Sequence, residues 1–197
     1  MWGGGGQNAH DRHRRGVGPA FTADDTVLSP NAVAPCVRLL HYSDIENAHD
    51  DPATIAGLAG TIESLRDDRT LVCGTGDNVA PGVLPLVSEG AIALEFFEAV
   101  SPDVETFGNH DFDFGPDRTA EIVRRSPQRW LSANVRRGGE AFAGIDPWRV
   151  ESVGDSTIGF FGVTDPTTPS IGDDGDLAFV DPIPAARKAI GALREHG

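Results

Sequence analysis

The chain has 197 residues, 30 acidic against 16 basic, and a formal charge of −14, which excludes nucleic-acid recognition through a broad basic surface. Its 39% apolar content excludes global disorder. Two cysteines, Cys36 and Cys73, are too few for a disulfide scaffold or a cysteine-based zinc site, and no run reaches the roughly 20 apolar residues of a membrane span.

Residues 1–36 are rich in Gly, Arg and His without helical or strand period, and read as a flexible N-terminal extension. His10 and His13 are loosely spaced for metal binding, and no apolar signal core is present, so the expected location is cytoplasmic. From residue 37 strands alternate with helices. VRLLHYS (37–43) reads as a buried strand, 52–68 as a helix with Pro52 in its first turn, and 70–74 as the second strand. A helical stretch over 84–100, with a break near Gly90, leads to a third strand at 102–107. A helix over 116–126 opens at Pro116, and RWLSANV (129–135) reads as one strand. Runs 148–153 and 156–164 pair about Gly154-Asp155, and 182–197 closes the sequence as a helix. Such alternation predicts a layered α/β fold. Lys188 is the single lysine among the basic residues; with the excess of Asp, this fits adaptation to high salt, and GC-rich codon usage explains it equally.

Ligands of open α/β sheets bind outside the carboxyl ends of the strands. SDIEN (43–47), GTGDN (74–78) and GNHDFD (108–113) follow the first three strands, so all three polar clusters are expected along one sheet edge. Each alone reads as a turn; three in succession point to a site. Asp44, Glu46, Asp77 and Asn109 offer oxygen donors and His110 a nitrogen, a set suited to Mn, Fe, Zn or Mg. Two ions about 3.5–4 Å apart would hold a phosphate and activate water. Asp77, at the middle strand, is the candidate bridging ligand. His110 next to Asp111 suits general-acid work, the carboxylate orienting the imidazole. Asn47 and His49 are the alternatives to Glu46, and His41 reads as a core histidine. Asp113 reads as closing its turn on backbone amides, Asn134 as a strand-end turn, and Trp130 and Trp148 as packing residues. The acidic run 172–176 lacks calcium-loop spacing and reads as a solvated loop.

SDIEN, GDNVAPG (76–82) and FGNHDFDFG (107–115) resemble the first three signature blocks of the calcineurin-like metallophosphoesterases: D-x-H, G-D-x-x-x-G and G-N-H-[DE]. GNHDFDFG, SANV (132–135) and GFFGVTDPTTP (159–169) are similar to segments of the 5′-nucleotidase branch. The resemblance runs from residue 37 to about 197. It implies a layered α/β metallophosphoesterase-like sandwich and two divalent metal ions. It also implies hydrolysis of a nucleotide phosphate; separately, the lack of a long apolar run predicts no membrane partner. By the same resemblance, Asp44 is a first-metal ligand, Asp77 the bridge, and Asn109 a second-metal ligand that also meets the phosphate. His110 and Asp111 are then the catalytic dyad, with His110 also binding substrate, and the resemblance would place Asn134 at a substrate region. Two departures stand out. Glu46 replaces the histidine of D-x-H, and the downstream histidines, including G-H-x-H, are missing: His196 is the sole histidine after His110. The expected sandwich is therefore incomplete at the C-terminus. The chain reads either as an enzyme portion needing a complementing C-terminal chain or as a non-catalytic fragment.

Overall fold

The computed structural model describes residues 37–168 and 176–196. The expected N-terminal extension with His10 and His13, and most of the acidic run, lie outside the described residues.

Four strands, β1 (Arg38–Tyr42), β2 (Thr70–Gly74), β3 (Val104–Thr106) and β4 (Arg129–Leu131), pair in parallel in that order. Parallel neighbours need crossovers, and helices supply them: α1 (Pro52–Leu65), then α2 (Val83–Ser88) and α3 (Ile92–Val100), then α4 (Pro116–Arg125). Asp51 caps α1, its carboxylate accepting from the Ala53 amide at 3.0 Å and the Thr54 hydroxyl at 2.8 Å. The helical stretch over 84–100 breaks as its glycine suggests: Glu89 and Gly90 both adopt positive φ, ending α2 before α3 begins. The layered α/β architecture expected from the alternation is present.

Two readings are corrected. Residues 37–43 do not form a buried strand; β1 lies at the sheet edge, with Leu39 51% exposed and only Tyr42 buried. Its apolar run matches that of a central strand, and only sheet order tells them apart. Residues 129–135 are not one strand either. β4 stops at Leu131, the Ser132 hydroxyl accepts from the Val135 amide at 3.1 Å, and β5 (Val135–Arg137) joins a different sheet. That sheet pairs β5 with β6 (Glu140–Ala141) and β9 (Leu177–Phe179). The bend is held by Asn134, fully buried, whose amide donates to the carbonyls of Thr164 at 2.7 Å and Val180 at 3.0 Å and accepts from the Thr164 amide at 2.8 Å. Asn134 therefore has a structural role. β7 (Trp148–Val153) and β8 (Ser156–Phe161) form the expected hairpin, and α5 (Pro182–His196) packs against it.

The aromatic core sits directly under the third polar cluster. Phe107 stacks on Trp130 with centroids 4.7 Å apart and meets Phe112 at 5.0 Å. Phe112 also meets Phe142 at 5.5 Å and Phe179 at 5.0 Å. Phe107 and Phe112 bracket residues 108–111, so burial of two rings anchors both ends of the loop that carries Asn109 and His110.

Candidate metal centre

The loops after β1 and β2 bring three carboxylates together. Asp44, Glu46 and Asp77 each place a carboxylate oxygen so that the three lie within 4.8 Å of one another. All three residues have positive φ: 55°, 44° and 55°. Non-glycine residues rarely adopt that region, and such strain gathers at ligand sites. The loops are tied by backbone bonds, Asp44 N–H to Gly76 O at 3.1 Å and Glu46 N–H to Asp77 O at 3.3 Å. Gly76, at φ 97°, allows close passage: a Cβ there would overlap the Gly108 amide. Burial pushes the Asp77 carboxyl up, and the Asp44 carboxylate adds to the rise, while the His110 amide, donating to Asp77 Oδ1 at 2.6 Å, pulls it down. Among the described residues no cationic side chain pairs with any of the three. A convergent, unpaired carboxylate trio on strained backbone is a donor set that fits a divalent cation.

Glu46, and not His49, joins the carboxylate cluster. Asn47 is exposed. His49 is buried and its Nε2 bonds the Asn78 carbonyl at 2.8 Å; burial lowers its pKa and favours the neutral ring. His41 is an exposed strand residue, not a core one, with Nε2 2.6 Å from the Thr75 hydroxyl.

The third loop departs from its sequence reading. Asp111 does not orient the His110 imidazole. Its carboxylate is 1% exposed and takes four backbone amides: Gly108 at 2.8 Å, Asp77 at 2.9 Å, Asn78 at 3.1 Å and Val79 at 3.0 Å. It fastens the loop after β2 to the loop after β3. Burial pushes its pKa up to about 7 against the pull of those amides. The ring partner is Asp113, with His110 Nδ1 2.9 Å from Asp113 Oδ2. The short 3-10 turn His110–Phe112 explains the exchange: residues three apart share a face, so position 113 meets 110 and position 111 faces inward. The Asp113 hydrogen bond holds His110 above its ordinary pKa, and the charges of Asp113, Asp77 and Glu46 reinforce it. Asn109 opens that turn, half-buried, with no side-chain hydrogen bond among the described residues.

No protein-family profile matches the chain. Curated relatives do. The human 5′-nucleotidase is 27% identical over 205 aligned positions, covering 93% of this chain and 36% of the relative. Among solved structures, a 5′-nucleotidase precursor from Thermus thermophilus superposes with a TM-score of 0.69 at 25% identity, over 82% of this chain and 35% of that one. A calcineurin-like phosphoesterase from Bacillus subtilis shares the fold, with a TM-score of 0.65 at 17% identity over 82% of this chain and 59% of that chain. The sheet, the three strand-end loops and these likenesses support the calcineurin-like metallophosphoesterase superfamily for this chain. It spans about a third of the length of the nucleotidases it matches. Within the superfamily its relatives fall in the 5′-nucleotidase branch.

Proposed function

We propose that the chain carries the metal-binding part of a phosphoester hydrolase acting on a nucleotide phosphate. The observation that carries this reading is the convergence of Asp44, Glu46 and Asp77 from two strand ends on left-handed backbone. These residues would hold a divalent cation, with Asp77, between the two loops, the bridging ligand if a second ion joins and Asn109 the added donor. An all-oxygen trio favours harder ions, Mg or Mn, over Zn. A bound cation supplies Lewis acidity toward a phosphoryl oxygen and makes water a better nucleophile. His110, held by Asp113 and raised in pKa, stands beside the trio as the proton donor to the leaving oxygen. Asn109, its amide uncommitted, is placed to meet the phosphate. Asp111 contributes by fixing the loops. The nucleotide as substrate is supported by the names of the relatives.

The test is hydrolysis of AMP and p-nitrophenyl phosphate with added Mn²⁺, at low and high KCl, beside Asp77→Ala and His110→Ala. Activity in the parent and loss in both variants is expected; equal activity in all three would refute it. A second reading, cation binding without turnover, is favoured by the trio holding no histidine among the described residues. It predicts Mn²⁺ binding abolished by Asp77→Ala with no hydrolysis in any form.

A further inference from the structure

β3 carries a carboxylate in the middle of the core. Glu105 is 1% exposed, and Gly74, its partner in the β2–β3 register, leaves the room for it: a Cβ at Gly74 would overlap the carboxylate. We infer that Glu105 is a positioning residue that holds the Asp44–Glu46 loop against the Asp77 loop. The inference rests on the metal-site reading above.

The connections run to both loops. Glu105 Oε2 accepts from the Tyr42 hydroxyl at 2.6 Å, and Tyr42 ends β1 two residues before Asp44. Glu105 Oε1 accepts from Asn78 Nδ2 at 2.9 Å, and Asn78 follows Asp77. The other end of the Asn78 amide, Oδ1, accepts from the Ile45 backbone N–H at 3.4 Å, and Ile45 lies between Asp44 and Glu46. One side chain therefore fixes Asn78, and Asn78 fixes the centre of the neighbouring loop. Tyr42 is held protonated by burial and by the adjacent Glu105 carboxyl, so its hydroxyl remains a donor.

A purely structural role explains this arrangement poorly. Burying a carboxylate is costly, and a fully apolar replacement of matching volume is often neutral for the fold. Among the described residues Glu105 has no cationic partner; its two donors, Tyr42 and Asn78, lie at the end of β1 and in the loop after β2. Asp111 ties the loop after β2 to the loop after β3, and Glu105 ties the loop after β1 to the loop after β2. The two buried carboxylates thus join all three loops of the site in series.

The test uses the full chain with Glu105→Leu and Glu105→Gln. Amide hydrogen exchange is followed at Ile45 and at Leu131 in chelator, and Mn²⁺ affinity is measured by titration calorimetry. Leu removes both acceptors. It is expected to speed exchange at Ile45 at least tenfold relative to Leu131 and to weaken Mn²⁺ binding by about 10–100-fold, the usual effect of losing a residue behind a metal ligand. Gln keeps one acceptor and is expected between parent and Leu in both readings. Unchanged Ile45 protection with unchanged Mn²⁺ affinity overturns the inference. So does a lowered thermal midpoint with exchange raised equally at Ile45 and Leu131. Should the Leu variant not fold, the Gln variant decides by the same two readings. A parent chain that binds no Mn²⁺ sinks the metal-site reading instead, and exchange at Ile45 then decides whether the clamp exists.

Discussion

Replacing Asp111 with alanine should damage the fold before it damages the chemistry. The substitution strips the partner from four backbone amides at once, those of Gly108, Asp77, Asn78 and Val79. Asn78 and Val79 are essentially inaccessible, so water does not replace the lost acceptor there, and each orphaned N–H costs about 1–3 kcal/mol. Gly108 and Asp77 are half-buried and cost less. Relief of burying a carboxylate whose pKa is pushed up to about 7 offsets part of the total. A net loss of roughly 3–4 kcal/mol is expected, a large share of the ~5–15 kcal/mol that stabilises a domain. Urea unfolding followed by Trp fluorescence in chelator reads it as a drop in midpoint at constant slope. Asn, which keeps one acceptor oxygen but aims an amide NH₂ at the same donors, should fall between. A loss under about 1 kcal/mol would refute the reasoning. A variant that is fully stable yet inactive would return Asp111 to the catalytic role that the resemblance implies.

Asp113→Asn should lower the titration midpoint of His110, because it removes the hydrogen-bonded charge that raises it; NMR titration of the ring in metal-free protein checks this, and an unmoved midpoint counts against the pairing. Asp44→Asn should raise the thermal midpoint of the metal-free chain by about 2–4 °C by relieving like-charge crowding, while removing most of the stabilisation that Mn²⁺ adds; a lower metal-free midpoint would contradict the crowding. Burial pushes Glu105 from 4.5 to about 8, so the folded chain keeps a proton that the unfolded chain releases. Stability from this group is full below the unfolded pKa and lost as pH rises through about 8, at up to about 1.4 kcal/mol per pH unit. Glu105→Gln should flatten that fall between pH 5 and 8.5, leaving the smaller share due to Asp111, and an unchanged slope in urea midpoints would refute it.

The order of elements was legible because the first three strands each end in a polar cluster and helices such as α1 and α4 open with a local signal, Asp51-Pro52 and Gly115-Pro116. With consecutive parallel strands, chain order alone puts all three clusters on one edge. What was not legible depends on contacts distant in sequence. The edge position of β1 is invisible in RLLHY, since a central strand reads the same. The bend at 132–134 depends on Asn134 meeting Thr164 and Val180, residues 30 and 46 positions away. The exchange of roles between Asp111 and Asp113 follows from a three-residue 3-10 turn, and no periodicity over so short a run announces it. Glu105 did leave a trace: PDVETF places a charge where an alternating buried strand should have none facing the core. Its reading as a core carboxylate required knowing that Gly74 lies opposite.

The candidate site is built from features that each disfavour the empty fold. Three acidic residues occupy left-handed backbone, their carboxylates crowd together, and two further carboxylates, Glu105 and Asp111, are buried behind them. Asp or Glu at any one of these places would be an ordinary turn or an occasional buried acid. Their arrangement is not ordinary, because the buried pair binds the loops that force the Asp44–Glu46–Asp77 trio together. Glu105 reaches the loops after β1 and β2, Asp111 those after β2 and β3, and Asp77 lies where both ties meet. A cation at the trio would relieve the crowding and leave the ties unchanged, so binding should act on a centre already shaped to receive it. It follows that the metal-free chain should show the loop geometry in place, with Ile45, Asn78 and Val79 protected from exchange before any ion is added. Protection that appears only after Mn²⁺ is added would mean that the cation, and not the buried carboxylates, draws the loops together.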